Sequence, residues 1–480
     1  MTPMAMEAMH RVFPRRSWLS VLVCGFFFVS FLTYYWAPSR PEYNNVPLKS
    51  SSSAIQASHG CGIDVQTLNN TVFGLSDHID YTRLYINVEY SDAIESQFQD
   101  VVRLDNPFPD SKTIDLESLS DSERDSYCPG ATIMHFAKLP PKRDASSLIF
   151  GMATTLERLD DSLDAFSHWA GGTKCRLYAL VEPAENLKAV ERKAQKLNIN
   201  LHISVSDAEY NARYFSLVKM LWEKRTISTQ WAAIIDDDTF FLSMDALVDR
   251  LGSYNPKEQF YIGGLTEDFA QMKMWSFMGY GGAGIFLSVA LLEALQPHYE
   301  DCLDKSYFGD SRIAHCVYQH TPTKMTWEHG LHQIDIHGDI SGIFEWGRAQ
   351  PLSVHHWKSW FKFDMAKSAI VSSICGDACL LRRWRFSNGW YLTNGFSISK
   401  YSDGKEPDGV SMEKTWDDWE SATDEDYLHA LGPLRPKDEG KQRYELEKVV
   451  VDGPVVRQYY VDRPRDGPRD RVVEVVWRPI

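Results

Sequence analysis

Short apolar runs alternate with amphipathic segments along the chain after Ser147. The apolar runs predict strands, and the segments with a period of 3.6 residues predict the helices between them. The predicted order is strand 148–152, helix 156–170, strand 175–181, helix 185–197 and a strand near Leu201. Such an order is typical of right-handed crossovers in a mostly parallel sheet, so we predict an α/β fold.

The first predicted helix carries a start signal. Thr154 and Glu157 have the spacing of a capping box, in which hydroxyl and carboxylate each accept a backbone N–H. Leucines and a phenylalanine then recur on one face until Gly171 and Gly172 end the helix. A further amphipathic helix over 214–222 precedes another apolar run, and we expect it to pack on the sheet.

An uncharged run from Ser17 to Trp36 predicts a transmembrane helix, because its twenty residues span a bilayer core of roughly 30 Å. Arg11, Arg15 and Arg16 precede it, so the positive-inside rule predicts that residues 1–16 are cytosolic and that the rest is lumenal. A cleaved signal peptide is the alternative. Its apolar core would be unusually long, and no small-residue cleavage site follows the run.

Composition divides the remaining chain into three predicted parts. We predict that residues 37–144 form a stem and an N-terminal embellishment, because the first part of this segment is rich in Pro, Ser and Asn. Residues 145–365 carry the α/β pattern of a catalytic domain. Residues 366–480 read as a small β-rich appendage, with strand-like runs at 455–461 and 471–477. Core packing explains the many aromatic residues of this appendage more simply than carbohydrate binding.

Charge and cysteine content narrow the function classes. The net charge of −15, from 50 basic and 65 acidic residues, argues against a nucleic-acid-binding protein. Seven of the eight cysteines follow the predicted anchor, which allows up to three disulfides and one free thiol in an oxidising compartment. Short loops favour the pairs Cys302–Cys316 and Cys375–Cys379. Asn69 begins an N-glycosylation acceptor sequence.

Three adjacent carboxylates, Asp236, Asp237 and Asp238, directly follow an apolar predicted strand. Ligands of open α/β sheets bind at the carboxyl ends of strands, and a divalent cation would relieve the repulsion among the three acids. An acidic loop is the alternative, but the buried strand before the acids and the aromatic residues after them favour a metal site. His355 and His356 end a later apolar run and are candidates for a further ligand.

A glycine-rich segment, Tyr280-Gly281-Gly282-Ala283-Gly284, lies between these motifs. Glycines let a backbone approach a ligand closely, although a structural turn would use them equally well. The segment lacks the Lys-Ser/Thr ending of a phosphate-binding P-loop.

Taken in order, these segments resemble the Fringe-like glycosyltransferases, the β1,3-transferase family that includes the core-1 galactosyltransferase. The plant and fungal branch of that family is the most similar. The resemblance covers roughly residues 147–361. It rests on the three acids, the segment Tyr280–Gly284, the segment Glu328–Gln333 and the run Leu352–His356.

The resemblance implies a GT-A-like, Rossmann-type sheet, a UDP-sugar donor, Mn²⁺ or another divalent cation, and inversion at the anomeric carbon. By matched position, Asp238 would ligate the metal, and Asp236 would contact the ribose or share the metal. His355 would be the distal ligand, with His356 as the alternative. Asp310 aligns with the general base, although a single Asp follows Gly309 where the family has two adjacent acids.

The nucleotide site of the family begins where the first helix opens. By the same matching, Thr154, Thr155 and Arg158 would contact the nucleotide, together with Asp236 and Asp237. The glycine segment would shape the donor and acceptor side of the site.

The predicted function is therefore an inverting, metal-dependent glycosyltransferase of the Golgi membrane, anchored by one helix. It would move galactose or N-acetylglucosamine from UDP to a hydroxyl of a glycan or glycoprotein, in β1,3 linkage. A non-catalytic relative that binds a nucleotide sugar or assists a partner enzyme is the alternative. Retention of the three acids and the His pair argues against it, and a metal-dependent hydrolase would need more ligands.

Overall fold

The computed structural model describes residues 62–69, 73–91, 101–118, 130–303, 309–346, 349–361, 363–418, 422–464 and 467–480. The predicted cytosolic tail 1–16 and the predicted anchor 17–36 lie outside these ranges. Within them, no helix combines the length and the apolar character needed to cross a membrane. Asn69 is exposed, and its side-chain amide donates to the carbonyl of Leu116 at 3.1 Å; the rest of its acceptor sequence lies outside the described residues.

The strands belong to two large sheets and three small ones. In chain order they are β1 (His78–Ser91), β2 (Val101–Arg103), β3 (Lys112–Asp115), β4 (Ala131–Ala137), β5 (Leu148–Thr154), β6 (Arg176–Val181), β7 (Asn200–Val205), β8 (Trp231–Ile234), β9 (Phe240–Phe241), β10 (Tyr261–Gly263), β11 (Ile285–Ser288), β12 (Met325–Trp327), β13 (His337–Gly338), β14 (Ser353–Val354), β15 (Arg383–Arg385), β16 (Trp390–Thr393), β17 (Ser397–Lys400), β18 (Met412–Glu413), β19 (Trp416–Asp417), β20 (Leu434–Arg435), β21 (Gln442–Asp452), β22 (Val455–Asp462) and β23 (Asp470–Pro479).

The helices are concentrated between residues 156 and 375. The α-helices are α1 (Val65–Leu68), α2 (Leu156–Trp169), α3 (Leu187–Lys196), α4 (Tyr210–Lys224), α5 (Met244–Gly252), α6 (Phe269–Trp275), α7 (Val289–Leu295), α8 (Gly309–His320), α9 (Ser341–Glu345), α10 (Met365–Ala369), α11 (Ser372–Cys375) and α12 (Leu428–Leu431). Single 3₁₀ turns cover Gln296–His298, Asp377–Cys379 and Asp424–Tyr427.

The first large sheet has seven strands in the order β12-β10-β11-β8-β5-β6-β7. Strands β8, β5, β6 and β7 pair in parallel, as do β10 and β12, whereas β11 runs antiparallel to both of its neighbours. The predicted mixed α/β fold with a mostly parallel sheet is confirmed.

Helices cover both faces of the central strand β5, which is why the whole strand is buried. Side chains at alternate positions, such as Phe150 and Met152, lie in the same core as α2, and those between them lie with α4. Gly151 faces Leu221 of α4 so closely that an added Cβ would lie 3.0 Å from that leucine. The amphipathic faces predicted for α2 and α4 are therefore the buried ones.

The start of α2 differs from the prediction. The N-cap is Thr155, whose hydroxyl accepts from the backbone N–H of Arg158 at 3.2 Å. Thr154, the predicted cap, is the last residue of β5, and its hydroxyl donates to Asp237 instead. Strand β5 thus ends two residues beyond the predicted strand 148–152, where the Thr154 hydroxyl meets a buried carboxylate.

The second large sheet has ten strands and joins the two ends of the described chain. Strand β1 pairs in parallel with β23 over ten residue pairs and also pairs with β3 and β4. The composition predicts separate parts for residues 37–144 and 366–480, but strands of both parts form this one sheet.

Buried ion pairs join β1 to β23 within this sheet and connect α9 to the start of β21. Arg83 and Glu474 are register partners on β1 and β23, with 2.7 Å between Nε and Oε2 and almost no solvent exposure. Glu345, at the end of α9, is equally buried and pairs with Lys441 at 3.1 Å and Arg443 at 2.6 Å. Removing one partner of such a pair leaves an uncompensated buried charge, which typically costs about 3–5 kcal/mol.

Both predicted disulfides are present, Cys302–Cys316 and Cys375–Cys379. Among the described residues Cys175 is the free cysteine, and burial raises the pKa of its thiol to about 12. A buried thiol that stays protonated is chemically inert, so Cys175 is a core residue. Cys61 and Cys128 lie outside the described residues.

Candidate functional site

The three predicted acids lie at one edge of the seven-stranded sheet. They follow β8, whose last residue Ile234 is the register partner of Gly151 on the parallel strand β5. Strand β5 continues past Gly151 to Thr154, so the acids that follow β8 lie beside the last residues of β5 and the start of α2. This is the edge at which open α/β sheets bind their ligands.

A short strand pairing brings His355 to the same place. Strand β14 pairs antiparallel with β9, with Val354 opposite Phe240, so the residue after β14 faces the residues before β9. His355 Nε2 lies 3.0 Å from Asp238 Oδ1 and 3.5 Å from Asp236 Oδ2. Its other ring nitrogen, Nδ1, lies 3.2 Å from the carbonyl of Gln333, which fixes the ring orientation.

His356 adopts a left-handed backbone conformation, with φ of 60°. Its Nε2 lies 3.0 Å from Asp335 and its Nδ1 lies 3.1 Å from the hydroxyl of Ser359. That hydroxyl in turn donates to Asp238 Oδ2 at 3.1 Å. Ligand atoms of Asp238, His355 and His356 all lie within 4.8 Å of one another, a spacing that suits a single metal ion. His355 Nε2 is the imidazole nitrogen that faces two carboxylates.

Burial and mutual attraction set the charges of this cluster. Burial alone would lower the pKa of His355, but the carboxylate of Asp238 outweighs it and raises that pKa to about 9. Burial would raise the pKa of Asp238, yet His355 holds it below its usual range. Burial raises the pKa of Asp236 to about 7, helped by the neighbouring acids. A divalent cation would replace the His355 proton as the positive partner of these acids.

Asp237 points to other partners than its two neighbours. Arg158 donates to its two oxygens at 2.6 and 2.8 Å, Lys358 lies 3.1 Å away, and the hydroxyl of Thr154 donates to it as well. Thr155 caps α2, as described above. Three of the residues predicted to contact a nucleotide, Thr154, Arg158 and Asp237, thus hydrogen-bond to one another. The side chain of Arg158 is half-exposed, so its guanidinium is the group of this set that solvent reaches.

The glycine-rich segment packs directly against the cluster. A Cβ on Gly282 would overlap the imidazole ring of His355, and a Cβ on Gly281 would overlap the hydroxyl of Tyr214. The Gly282 carbonyl accepts from the hydroxyl of Thr239 at 2.8 Å. Glycine is required at these two positions because the backbone lies against side chains of the site.

Asp310 lies in the first turn of α8, beside the same segment. Its carboxylate accepts from the backbone N–H of Gly281 at 3.0 Å and from that of Ser311 at 2.8 Å. Burial raises the pKa of Asp310 to about 6, although these two bonds oppose the rise. The Tyr214 hydroxyl and Asp236 Oδ1 are buried oxygens with no hydrogen-bond partner among the described residues. Two orphaned oxygens beside a carboxylate indicate a place for a polar ligand.

Sequence reasoning missed the residues that hold the cluster. Asp335 is the partner of His356, and Gln333 orients His355 while its side chain accepts from Ala283 N at 2.8 Å. Glu267 binds His332 at 2.9 Å and the backbone N–H of Ile334. Gln333 lies in a segment that the sequence did single out, but nothing in the sequence assigns a role to Glu267 or Asp335.

A second group of ligand-type residues is less suited to a metal. His298, Asp301 and His320 also have ligand atoms within 4.8 Å of one another. The two imidazoles stack with centroids 4.3 Å apart and an interplanar angle of 14°. The first cluster is more deeply buried and has two carboxylates facing His355 Nε2, whereas the residues of the second group are partly or fully exposed.

Comparisons with known proteins complete the description of the site. A family model described as a protein of unknown function, DUF604, matches residues 271–363, about a fifth of the chain. The match contains the glycine segment, Asp310 and both histidines but not the three adjacent acids. None of the curated proteins matches the chain.

Similar solved structures include transferases of sugars. Mouse xyloside xylosyltransferase 1, apo form, is 10% identical over 45% of this chain and 98% of that chain, with a TM-score of 0.29. The glycosyltransferase GlyE of Streptococcus pneumoniae TIGR4 is 12% identical over 45% of this chain and 54% of that chain, with a TM-score of 0.29. S. aureus TarS 1–349 in complex with UDP-GlcNAc is 9% identical over 31% of this chain and 46% of that chain, with a TM-score of 0.22. At such values, function has to be argued from the site itself.

Proposed function

We propose that this chain is an inverting, metal-dependent glycosyltransferase of GT-A type that uses a UDP-sugar donor. The observation that supports this most is the convergence of Asp238, His355 and His356 within 4.8 Å. The cluster lies at the carboxyl end of parallel strands, and the glycine segment and a buried carboxylate border it. Carboxylate and imidazole ligands suit Mn²⁺, and Asp236 Oδ2, 3.5 Å from His355 Nε2, offers it one more oxygen.

In the proposed site, Asp238 and His355 hold the metal and Asp236 shares it or binds the ribose. When bound, the metal supplies positive charge that makes a nucleoside diphosphate a better leaving group. Asp335 positions His356, and Gln333 positions His355. Arg158, which Asp237 fixes in place, presents its guanidinium to the phosphates.

Asp310 is the proposed general base. A carboxylate with a pKa of about 6 is ionised at neutral pH and still basic enough to take a proton from an acceptor hydroxyl. The backbone N–H groups of Gly281 and Ser311 orient the Asp310 carboxylate. The buried Tyr214 hydroxyl is the proposed hydrogen-bond partner of the acceptor oxygen. Attack from the side opposite the diphosphate would invert the anomeric carbon.

The proposal includes the cellular setting. The anchor at 17–36 would hold the catalytic part in the Golgi lumen, where a glycan or glycoprotein hydroxyl is the acceptor. Galactose or N-acetylglucosamine and a β1,3 linkage are proposed from the family resemblance.

Release of UDP by the purified full-length chain tests the proposal. We expect release from one UDP-sugar with Mn²⁺ and none with EDTA. Asp238→Ala should abolish it, while Asp452→Ala, which changes an exposed Asp on the β21–β22 hairpin of the ten-stranded sheet, should not. Asp310→Asn should bind UDP and Mn²⁺ normally but transfer little sugar.

Two results would contradict the proposal. Full activity of Asp238→Ala would remove the metal assignment. Tight UDP-sugar binding without turnover of any donor or acceptor would favour the non-catalytic alternative.

A further inference from the structure

A cavity of about 620 Å³ lies outside the metal cluster, between the residues that follow β12 and the edge of the ten-stranded sheet. This volume is in the range of small-molecule and oligosaccharide sites. Its lining includes the arginines, histidines and tyrosine Arg103, Arg383, Arg385, His329, His332 and Tyr391. We call it the arginine cavity.

The arginines of this cavity are brought together by the sheet. Arg103 on β2 and Arg385 on β15 are register partners of two parallel strands. Arg383 precedes Arg385 by two positions on the same strand, so it projects from the same face. Like charges side by side on neighbouring strands repel one another, which costs stability unless an anion lies between them.

Acidic groups of the described structure do not neutralise the two register partners. Within the described residues, neither Arg103 nor Arg385 has a carboxylate within 4.0 Å. The acid in the lining is Asp408, and its oxygens already accept from the backbone of Val410 and from Ser411. Among the described lining residues, Arg103 and Arg385 thus outnumber the one carboxylate, Asp408.

A tyrosine and two histidines line the cavity beside the arginines. Tyr391 is buried under Arg383 and Arg385, whose guanidinium carbons lie 5.1 and 5.5 Å from its ring centroid. These contacts hold the guanidinium groups in fixed orientations, which suits bidentate binding of carboxylate, sulfate or phosphate. His329 and His332 line the opposite wall.

The opposite wall connects the cavity to the metal cluster. Gly330 and His332 line the cavity, and Gln333, the next residue, bonds to Ala283 and orients His355. Three residues of chain, from Gly330 to Gln333, span at most about 11 Å. A glycan seated in the cavity is therefore within a few sugar units of the proposed transfer site.

We propose that the arginine cavity binds an anionic group of the acceptor, so that the acceptor is an acidic glycan carrying carboxylate, sulfate or phosphate. The binding of an anionic glycan follows from the cavity alone. Its role as acceptor rests on the proposed function.

Binding of matched oligosaccharides to the full-length chain tests the cavity separately from catalysis. The probes are a uronic-acid oligosaccharide, a sulfated and a phosphorylated oligosaccharide of equal length, and a neutral one. All are titrated calorimetrically in EDTA without nucleotide sugar, so the result does not depend on the metal site. We expect one acidic probe to bind at least tenfold more tightly than the neutral probe, and the preferred probe identifies the anionic group.

Matched variants locate the binding. Arg103→Gln and Arg385→Gln should each weaken binding of the acidic probe by at least about tenfold. Arg192→Gln removes the same charge from an exposed helix position and should change it less than about twofold. Arg103 is itself exposed, so Arg103→Glu is expected to fold and to abolish binding.

Equal affinity for acidic and neutral probes would overturn the proposal, as would unchanged affinity in both arginine variants. If the acidic probe binds but is not glycosylated with Mn²⁺ and any UDP-sugar, the cavity stands and its assignment to an acceptor fails.

Discussion

Replacing Gly282 with alanine should displace the imidazole of His355. The new methyl group would lie about 1 Å closer to the ring atoms than side-chain carbons are found in proteins. The ring has little freedom to move aside, because it is 3% exposed and its Nδ1 is tied to the carbonyl of Gln333 at 3.2 Å. Either the ring or the glycine segment must therefore shift by about 1 Å.

The size of the effect follows from that shift. Misplacing a catalytic group by about 1 Å costs on the order of 100-fold in rate, and disturbing the support of a metal ligand costs about 10- to 100-fold in affinity. We expect Gly282→Ala to weaken Mn²⁺ binding by 10- to 100-fold, or about 1.4–2.7 kcal/mol. Overpacking would also lower the free energy of unfolding by about 1–3 kcal/mol.

Electron paramagnetic resonance of free Mn²⁺ during titration of the full-length chain measures the affinity, and circular dichroism checks the fold. Gly252→Ala is the matched control, since an added Cβ at Gly252 meets nothing within 4 Å. Wild-type Mn²⁺ affinity in a folded Gly282→Ala variant would refute the reasoning that His355 must keep this position to bind the metal.

Three further predictions follow from the contacts and charges. Asp335→Asn removes the carboxylate that faces His356 Nε2, and should weaken Mn²⁺ binding by about 10- to 100-fold in the same titration without unfolding the chain. Mn²⁺ affinity should rise by up to about tenfold per pH unit toward pH 9, because the metal must displace a proton from His355, whose pKa is raised to about 9; a flat profile between pH 6 and 8 would contradict this. The pKa of Glu345 is lowered to about 2, against burial, by Lys441 and Arg443, so its stabilisation is complete above pH 4.5 and is lost as the pH falls toward 2. Denaturant unfolding should show Glu345→Gln destabilised by about 3 kcal/mol at pH 7, with the difference from wild type shrinking below pH 4.5; a constant difference would contradict the assignment.

Much of the seven-stranded sheet could be predicted from the sequence because its signals are local. The continuous apolar run of β5 and the periodic faces of α2 and α4 are each complete within about fifteen residues. The two disulfides were also predictable, since each closes a short loop. The cap of α2 was misplaced by one residue because its alternative partner, Asp237, is distant in sequence.

The ten-stranded sheet could not be predicted in this way. Its longest pairing, between β1 and β23, joins Arg83 to Glu474, and nothing near either residue in the sequence indicates the other. Taken alone, neither β1 nor β23 indicates its partner strand, because the two lie near opposite ends of the described chain.

The candidate site was predictable only where its residues form motifs. The acid triplet and the His pair are visible in the sequence, and the structure brings Asp238 and His355 to 3.0 Å. The sequence does not indicate that Asp237 pairs with Arg158 while Asp238 faces His355. That difference depends on Arg158, which lies on α2, far earlier in the chain. Asp335 escaped notice because a single acid has no pattern.

A crystal structure of the full chain with Mn²⁺ and UDP, with data collected at the manganese absorption edge, tests the central claim most directly. We predict an anomalous peak that marks a manganese ion bound to Asp238 Oδ1 and His355 Nε2, with metal–ligand distances of about 2.0–2.3 Å. An empty cluster, or manganese bound only at His298 and His320, would contradict the proposed metal-dependent transfer.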